Sequence, residues 1–286
     1  MNADTRRRLA GTGPRGGRPH DPRPVLVTGA AGRLGSRVAS ALAAEGVALR
    51  LTDLRPPGAI PAGAAFTAAD LADPAPWHGL LAGCRAVLHF GGIPNETPGA
   101  AAIEAANIRG TRHVYEAARV AGARVVFASS NHVVGFHARP APGAPLLPAD
   151  CVFRPDSHYG LSKMHGEGLA RLFWDKHGVE SVILRIGSCT DAPVDARMLS
   201  TWLSPRDLVA LCRAAVEAPE VGCATIWGCS DNPASFWGAD DRARLGWQPR
   251  DSAEPWRAAL QGTRSEDPIA ERFQGGAFCA LDHDRS

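Results

Sequence analysis

Short apolar segments alternate with longer amphipathic ones along most of the chain. The short segments consist mainly of Val, Leu, Ile and Ala, a length and composition typical of buried strands. Seven strands are predicted, at residues 24–28, 47–52, 65–69, 86–92, 124–128, 179–186 and 223–227. Strands separated by helices of this length predict an α/β fold with a doubly wound parallel sheet and right-handed crossovers.

The amphipathic segments predict the helices. A long helix is expected over about 99–121, a second carries Tyr159 and ends at Gly178, and a third covers 205–218. The segment 140–155 contains five prolines and is expected to be a loop. The remaining third of the chain is less regular, so its elements are only weakly predicted.

A glycine-rich turn joins the first strand to the first helix. Gly29, Gly32 and Gly35 allow the backbone to turn tightly and to approach a ligand closely, and the helix that follows presents free N–H groups to a pyrophosphate. This spacing is weak evidence alone, but its position between a strand and a helix indicates a dinucleotide site. The intervening Arg33 and Leu34 are expected to line that site.

Asp53 ends the second predicted strand, 18 residues after Gly35. A carboxylate there can accept both ribose hydroxyls of an adenosine and would repel a 2′-phosphate, so NAD is favoured over NADP as the cofactor. Arg55 weakens this preference, because an arginine can pair with a phosphate. The alternative is that Asp53 is a plain turn residue. Later strand ends supply the other expected cofactor contacts, Asp70, Leu71 and Gly91.

Composition divides the chain into two parts. Residues 1–23 are rich in Arg, Gly and Pro and contain no apolar run, which is typical of a disordered tail. Residues 24–286 are expected to form a single NAD(P)-binding Rossmann domain. Its substrate-binding elements are expected mainly in 187–286.

Tyr159 and Lys163 are conspicuous because the chain has only two tyrosines and two lysines among its 286 residues. On a helix, residues four apart share a face, so both groups can point into one site. An ammonium beside a phenol favours the phenolate, which makes a general base usable near neutral pH. The alternative is a packed tyrosine beside a solvated lysine.

Charge and cysteine content narrow the classes of function. The net charge is +2 with no concentrated basic patch in 24–286, which argues against a nucleic-acid partner. No apolar stretch is long enough to span a membrane. Ten histidines and seven cysteines show no spacing typical of a metal site. An odd number of cysteines without a C-x-x-C pair indicates reduced, mostly buried thiols and a cytoplasmic protein.

Taken together, the glycine turn, Asp53 and the Tyr159/Lys163 pair resemble the extended branch of the short-chain dehydrogenase/reductase superfamily. Four longer motifs are similar to the bacterial uronate dehydrogenases: FASSNH at 127–132, RIGSCT at 185–190, RMLSTW at 197–202 and FQGG at 273–276. The resemblance covers about 25–278. It implies that NAD oxidises C1 of a cyclic D-glucuronate or D-galacturonate to the aldarolactone.

The resemblance also implies four catalytic residues. Tyr159 is expected to take the proton of the C1 hydroxyl, and Lys163 to lower the pKa of the phenol and to bind the nicotinamide ribose. Ser130 is expected to fix the reacting oxygen, and Asn107 to support a water relay to the lysine. The alternatives are a strand-end cap for Ser130 and a helix-packing residue for Asn107.

Substrate recognition is expected to involve Asn131, His132 and Ser188, which together with Ser130 would bind the sugar hydroxyls. Arg197 is expected to pair with the C6 carboxylate, because a guanidinium binds a carboxylate through two parallel hydrogen bonds. The alternatives are a structural role for His132 and a surface ion pair for Arg197.

One position departs from the family. Pro94 stands where the family has a serine that contributes to the substrate site, and proline offers neither a hydroxyl nor an N–H. The sequence therefore does not decide between glucuronate and galacturonate. Nor does it give the ring size of the lactone.

Two rival functions remain at the level of sequence. The first is a nucleotide-sugar epimerase or dehydratase, which would keep its NAD bound, so net NADH formation from a free uronate separates it from a dehydrogenase. The second is a non-catalytic NAD-sensing regulator, which has no need of Tyr159, Lys163 and Ser130 together. A homo-oligomer is expected, and carbohydrate metabolism is the expected role.

Overall fold

The computed structural model describes residues 21–284. Nine strands occur in this part of the chain: β1 Val25–Thr28, β2 Leu49–Asp53, β3 Ala65–Ala68, β4 Ala86–His89, β5 Arg124–Ser130, β6 Ser181–Ile186, β7 Ser188–Cys189, β8 Trp202–Leu203 and β9 Cys223–Gly228. Seven of them form one parallel sheet in the order β3-β2-β1-β4-β5-β6-β9, and β7 and β8 pair separately. The predicted doubly wound parallel sheet is confirmed.

Helices cover both faces of the sheet. They are α1 Arg33–Ala44, α2 Trp77–Leu81, α3 Ala100–Ile103, α4 Gly110–Ala121, α5 His158–His177, α6 Met198–Thr201, α7 Pro205–Glu217, α8 Arg242–Leu245, α9 Arg257–Leu260, α10 Pro268–Arg272 and α11 Ala277–Ala280. The chain leaves β1 in one direction toward β2 and β3, and β4 pairs on the other side of β1. A crevice opens at such a switch point, outside the carboxyl ends of the strands, and is where ligands bind in these folds.

The core has two layers because successive residues of a buried strand point to opposite faces. Val25 and Val27 face α1 and α7, whereas Leu26 faces a second cluster that contains Trp77 and Tyr115. All five side chains are at most 1% exposed. Burial of an apolar side chain of this size contributes about 1.5–3 kcal/mol to the free energy of folding. The sheet on which the crevice is built is therefore stabilised from both faces.

Several predicted boundaries shift by a few residues. β2 begins at Leu49 rather than at residue 47, because the N–H of Val47 donates to Leu42 O at the end of α1. The predicted helix 99–121 is present but includes a π-helical stretch, Glu104–Arg109, between α3 and α4. Helix α5 ends at Gly178 as predicted, with this glycine in the left-handed region at φ 66°.

The predicted tail 1–23 lies outside the described residues except for 21–23, where Asp21 pairs with Arg23. Across residues 21–284, no helix is both long enough and apolar enough to cross a membrane. In the same range, no three metal-ligating side chains come together as a metal site would require. All seven cysteines are free and six of them are buried.

Candidate active site

Two adjoining cavities open at the carboxyl ends of the strands. One, of about 370 Å³, is lined by Ser130, Tyr159, Lys163 and Arg197 among others. The second, of about 410 Å³, is lined by residues that follow β2 and β3. The two share a rim formed by the glycine turn and the loop after β4: Gly29, Gly32, Phe90, Gly92, Ile93 and Pro94. A single crevice therefore contains residues predicted for the cofactor and residues predicted for the substrate.

The glycine turn leaves no room for side chains. Gly29 has φ 67°, and a Cβ there would lie 2.7 Å from the backbone nitrogen of Gly91. A Cβ on Gly35 would lie 2.1 Å from the carbonyl oxygen of Gly29. The backbone is thus drawn close to the start of α1, whose first N–H groups face the crevice and suit a pyrophosphate. Arg33 and Leu34, in the first turn of α1, line the same cavity.

Asp53 is fixed by the backbone on both sides. Its Oδ2 accepts the N–H of Ala31 at 2.9 Å, and its Oδ1 accepts the N–H of Leu54 at 2.7 Å. A carboxylate oxygen accepts more than one hydrogen bond, so both remain available to ribose hydroxyls. Arg55 lines the same cavity two residues further along.

Three other expected cofactor contacts, Asp70, Leu71 and Gly91, line the second cavity. The Asp70 carboxylate accepts the N–H of Ala72 at 2.8 Å, which fixes the turn after β3. A Cβ on Gly91 would lie 3.0 Å from Leu71 Cδ1, so the two residues are in close contact. The N–H of Gly91 donates to the hydroxyl of Thr28 at 3.0 Å, which ties the loop after β4 to β1.

Tyr159 and Lys163 lie one turn apart on α5, with Ser130 at the end of β5 opposite them. Lys163 Nζ donates to the carbonyl of Ala128 at 2.8 Å and lies 5.7 Å from the centroid of the Tyr159 ring. Ser157 caps the start of the helix, since its hydroxyl accepts the N–H of Gly160 at 2.9 Å. These contacts fix both side chains at the inner wall of the first cavity.

Burial shifts the pKa values of both Tyr159 and Lys163. Burial raises the pKa of Tyr159 to about 12, and the hydrogen bond with Ser130 opposes this shift. Burial also lowers the pKa of Lys163 to about 8. Desolvation of the enclosed phenolate is the largest cause of the raised pKa of Tyr159, and the lowering of that pKa by Lys163 stays a prediction.

Asn107 lies in the π-helical stretch and is 2% exposed. Its amide oxygen accepts the N–H of Ile93 at 2.7 Å, and its amide nitrogen donates to the carbonyl of Ile93 at 2.9 Å and to Ser162 Oγ at 3.0 Å. Its side chain thus fixes the loop after β4 against α5. Asn107 does not itself line the first cavity.

The guanidinium of Arg197 lies among neutral partners. Its Nε donates to the carbonyl of Gln274 at 2.7 Å and its Nη1 donates to Ser188 Oγ at 3.3 Å. With the amide of Asn131 oriented to satisfy both of its groups, that amide accepts from Arg197 Nη2 at 2.9 Å and donates to the Ile186 carbonyl at 3.2 Å. Burial lowers the pKa of Arg197. No carboxylate among residues 21–284 forms an ion pair with it.

His132 is oriented from two sides. Its Nδ1 lies 2.7 Å from Asp156 Oδ2, and its ring packs on Phe278 with 4.0 Å between the centroids. Asp156 is 7% exposed, and its carboxylate accepts a hydrogen bond from the Nδ1–H of the imidazole. Nε2 of the imidazole is then free to hydrogen-bond a ligand in the cavity, with Tyr159 5.8 Å away between ring centroids.

Four residues around the crevice escaped the sequence analysis: Glu96, Asp156, Gln274 and Phe278. Glu96 accepts the backbone N–H of Tyr159 at 2.6 Å, so the loop after β4 also contacts the start of α5. Gln274 lies in the FQGG motif, to which the sequence alone assigns no role. Glu96 and Asp156 lie in loop segments and belong to no recognisable motif. The sequence therefore contains no pattern that would have identified either residue as part of the site.

The sequence matches the NAD dependent epimerase/dehydratase family over residues 25–192. It is 43% identical over 258 residues to a uronate dehydrogenase from Agrobacterium fabrum, an alignment that covers 89% of this chain and 96% of the relative. The similarity to this relative therefore extends beyond residue 192, where the match to the family ends.

Solved structures give the same result. A glucuronic acid dehydrogenase from Chromohalobacter salexigens superposes with a TM-score of 0.83 at 43% identity, covering 90% of this chain and 97% of that one. A mutant uronate dehydrogenase from Agrobacterium tumefaciens, complexed with NAD, superposes with a TM-score of 0.80 at 41% identity, covering 90% and 97%. The fold of this chain is thus similar to that of a protein crystallised with NAD.

Proposed function

Because this chain belongs to the uronate dehydrogenases of the NAD dependent epimerase/dehydratase family, we propose that it oxidises C1 of a cyclic hexuronate, D-glucuronate or D-galacturonate, to the aldarolactone with NAD⁺. Arg197 carries the proposal. It is a guanidinium at the cavity wall with hydrogen bonds to Asn131, Ser188 and Gln274 but without an anionic partner in the part of the chain that the structure describes. A buried charge is costly unless it is paired, and a substrate carboxylate would pair with it.

The direct test is net formation of NADH, measured by absorbance, with free glucuronate, galacturonate, glucose and nucleotide sugars as substrates. The proposal requires NADH from the uronates. If NADH forms only with nucleotide sugars, or with no substrate, the protein is not a uronate dehydrogenase.

Proton removal is assigned to Tyr159. The C1 hydroxyl of the cyclic uronate gives its proton to Tyr159 Oη, the C1–H bond breaks, and C1 becomes the carbonyl carbon of the lactone. When bound, NAD⁺ supplies the acceptor for the hydride from C1, and its positive charge favours the phenolate. The products are the aldarolactone, NADH and one proton.

Neighbouring residues orient the sugar. Ser130, which already interacts with the phenol, is proposed to donate a hydrogen bond to the C1 oxygen and keep it within reach of Tyr159. His132 and Asn131 are proposed to bind ring hydroxyls, and Ser188 to support the carboxylate beside Arg197. Asn107 is a positioning residue in this mechanism, since its amide is occupied by Ile93 and Ser162.

The cofactor contacts follow from the geometry of the turn and of β2. The side-chain-free backbone around Gly29, Gly32 and Gly35 fits a pyrophosphate, and the fixed Asp53 carboxylate fits the adenosine ribose. Lys163 is proposed to bind the nicotinamide ribose as well as Ala128. The division into a tail 1–23, one domain 24–286 and substrate elements mainly in 187–286 is also proposed, as are a homo-oligomer and a cytoplasmic location.

Cofactor preference provides a first prediction. The unmodified protein should prefer NAD⁺ to NADP⁺ in kcat/KM, because Asp53 repels a 2′-phosphate. Asp53→Ala should erode that preference, with kcat for glucuronate at saturating NAD⁺ little changed. Equal kcat/KM for the two cofactors in the unmodified protein would contradict the role of Asp53.

The pH dependence of kcat provides a second prediction. Tyr159 acts as the phenolate, and a raised pKa moves the appearance of the phenolate to higher pH, so oxidation should accelerate as the pH rises from about 6. The increase should flatten above about pH 8, where Lys163 loses its proton. A profile of kcat for glucuronate tests this, and a rate that falls steadily from neutral to alkaline pH would exclude the phenolate as the base.

A further inference from the structure

The segment 273–278 is built into the wall of the cavity beside Arg197. The carbonyl of Gln274 accepts Arg197 Nε at 2.7 Å. A Cβ on Gly276 would lie 2.9 Å from Arg197 Cδ and Nε, so this glycine packs directly against the arginine. The aliphatic part of Arg197 and one of its three nitrogens are therefore positioned by this segment rather than by the substrate.

The side chain of Gln274, which is 2% exposed, is one of the groups that hold the segment in place. Its Oε1 accepts the indole N–H of Trp237 at 3.0 Å, and its Nε2 donates to the carbonyl of Ala138 at 3.1 Å. The backbone N–H of Gln274 donates to the carbonyl of His137 at 2.9 Å. A buried amide with both of its groups satisfied has one favoured orientation, because any other would leave polar atoms unpaired.

Trp237 is itself held rigidly. Its indole stacks on that of Trp227, with 4.9 Å between the ring centroids and 7° between the planes. The two rings are 4% and 0% exposed. A Cβ on Gly187 would lie 3.1 Å from Trp237 Cη2, so the same indole also contacts the backbone next to Ser188. A continuous series of contacts thus connects Trp227 in the interior, through Trp237 and Gln274, to the guanidinium of Arg197.

We propose that Gln274 is a specificity-determining positioning residue, which acts through Arg197 and has no contact with the substrate of its own. Its carbonyl sets the direction of Nε and thereby aims the remaining guanidinium N–H groups at the place of the substrate carboxylate. This inference rests on the proposed function, because it concerns recognition of the uronate carboxylate. A guanidinium that can rotate away loses the paired geometry that a planar carboxylate requires.

The primary variant is Gln274→Ala, which removes both side-chain hydrogen bonds and leaves the backbone hydrogen bond to His137 in place. KM for glucuronate should rise about tenfold with kcat changed by less than about twofold, the pattern for lost uniform binding. The ratio of kcat/KM for glucuronate over glucose should fall by about the same factor. KM for NAD⁺ should stay the same, because the cofactor contacts lie elsewhere.

Trp237→Phe is the milder second variant. It keeps an aromatic ring for the stack, but it removes the N–H that Oε1 accepts and the ring atom that contacts Gly187. Gln274 keeps its hydrogen bond to Ala138, so a smaller change in the same direction is expected. Tyr115→Phe is the matched control, since it removes a buried hydroxyl hydrogen-bonded to Ser181 at 3.3 Å, far from the cavity. The control should change the thermal midpoint and leave KM for glucuronate unchanged.

A double-mutant cycle separates positioning from general destabilisation. In the Arg197→Ala background, Gln274→Ala should change KM by less than about twofold, because the group it positions is already gone. If the two effects multiply instead, or if Gln274→Ala leaves KM and the glucuronate-to-glucose ratio unchanged, the inference is wrong. If the unmodified protein forms no NADH from any uronate, the proposed function fails. Calorimetric titration of glucuronate into the parent and Gln274→Ala then decides the role of Gln274, and equal binding or none refutes it.

Discussion

Replacing Tyr159 by Phe is expected to lower kcat for glucuronate by roughly 10²–10⁴-fold, the usual range for loss of a positioned general base. The ring contacts with His132 and Phe278 would remain, at 5.8 and 6.1 Å between centroids, so the wall of the cavity is preserved. Only the group that accepts the C1 proton is removed. KM for NAD⁺ should change little.

Tyr115→Phe is the matched control, because it makes the same chemical change at the other tyrosine of the chain. Tyr115 is fully buried in the core and lines no part of the crevice. Its variant should retain kcat within about twofold of the parent, since nothing in the proposed proton transfer involves it. Near-normal turnover by Tyr159→Phe would remove this phenol from the mechanism.

Arg197→Ala is expected to lower kcat/KM for glucuronate by about 10- to 150-fold, which corresponds to the 1.5–3 kcal/mol of a charged, partly buried hydrogen bond. Glucose differs from glucuronate only in carrying a hydroxymethyl group at C6, so kcat/KM for glucose should be nearly unaffected. The ratio of kcat/KM for glucuronate to kcat/KM for glucose therefore measures the contribution of the guanidinium to recognition of the carboxylate.

Two further variants sharpen that experiment. Arg197→Lys should recover only part of the loss, because an ammonium cannot form two parallel hydrogen bonds with a carboxylate. Arg213→Ala serves as the control, since Arg213 is exposed and pairs with Glu45 at 3.1 Å away from the crevice. If Arg197→Ala prefers glucuronate as strongly as the parent does, other residues bind the carboxylate.

Local patterns predicted the sheet and the residues at its strand ends. Alternating apolar segments, glycines at 29, 32 and 35, and an acidic residue at the end of β2 each reflect a constraint that acts within a few residues of the chain. The same holds for Tyr159 and Lys163, whose spacing alone puts them on one face of α5. Features of this kind can be predicted from the sequence, because the residues that cause them are neighbours along the chain.

Contacts between distant segments were not predictable in this way. The partner of His132 is Asp156 and that of Arg197 is the backbone of Gln274, 77 residues away. The buried pair of Glu167 and Arg185, 2.8 Å apart, likewise joins α5 to β6. Every residue type has a backbone carbonyl group. A hydrogen bond to a carbonyl therefore requires no particular residue type and cannot be recognised in the sequence. The raised pKa of Tyr159 has the same origin, since burial depends on the whole fold.

The wide separation of Asp53 and Gln274 along the chain has a consequence for biosynthesis. Gln274 follows Asp53 by 221 residues, a distance that a ribosome covers in roughly 10–45 s at about 5–20 residues per second. The glycine turn and β2 leave the exit tunnel early in that interval, whereas Gln274, whose carbonyl orients Arg197, is synthesised only at its end. During translation, the glycine turn and Asp53 therefore exist for roughly 10–45 s before Gln274, so the adenosine end of the proposed dinucleotide site is made well before the group that positions Arg197 for the acid.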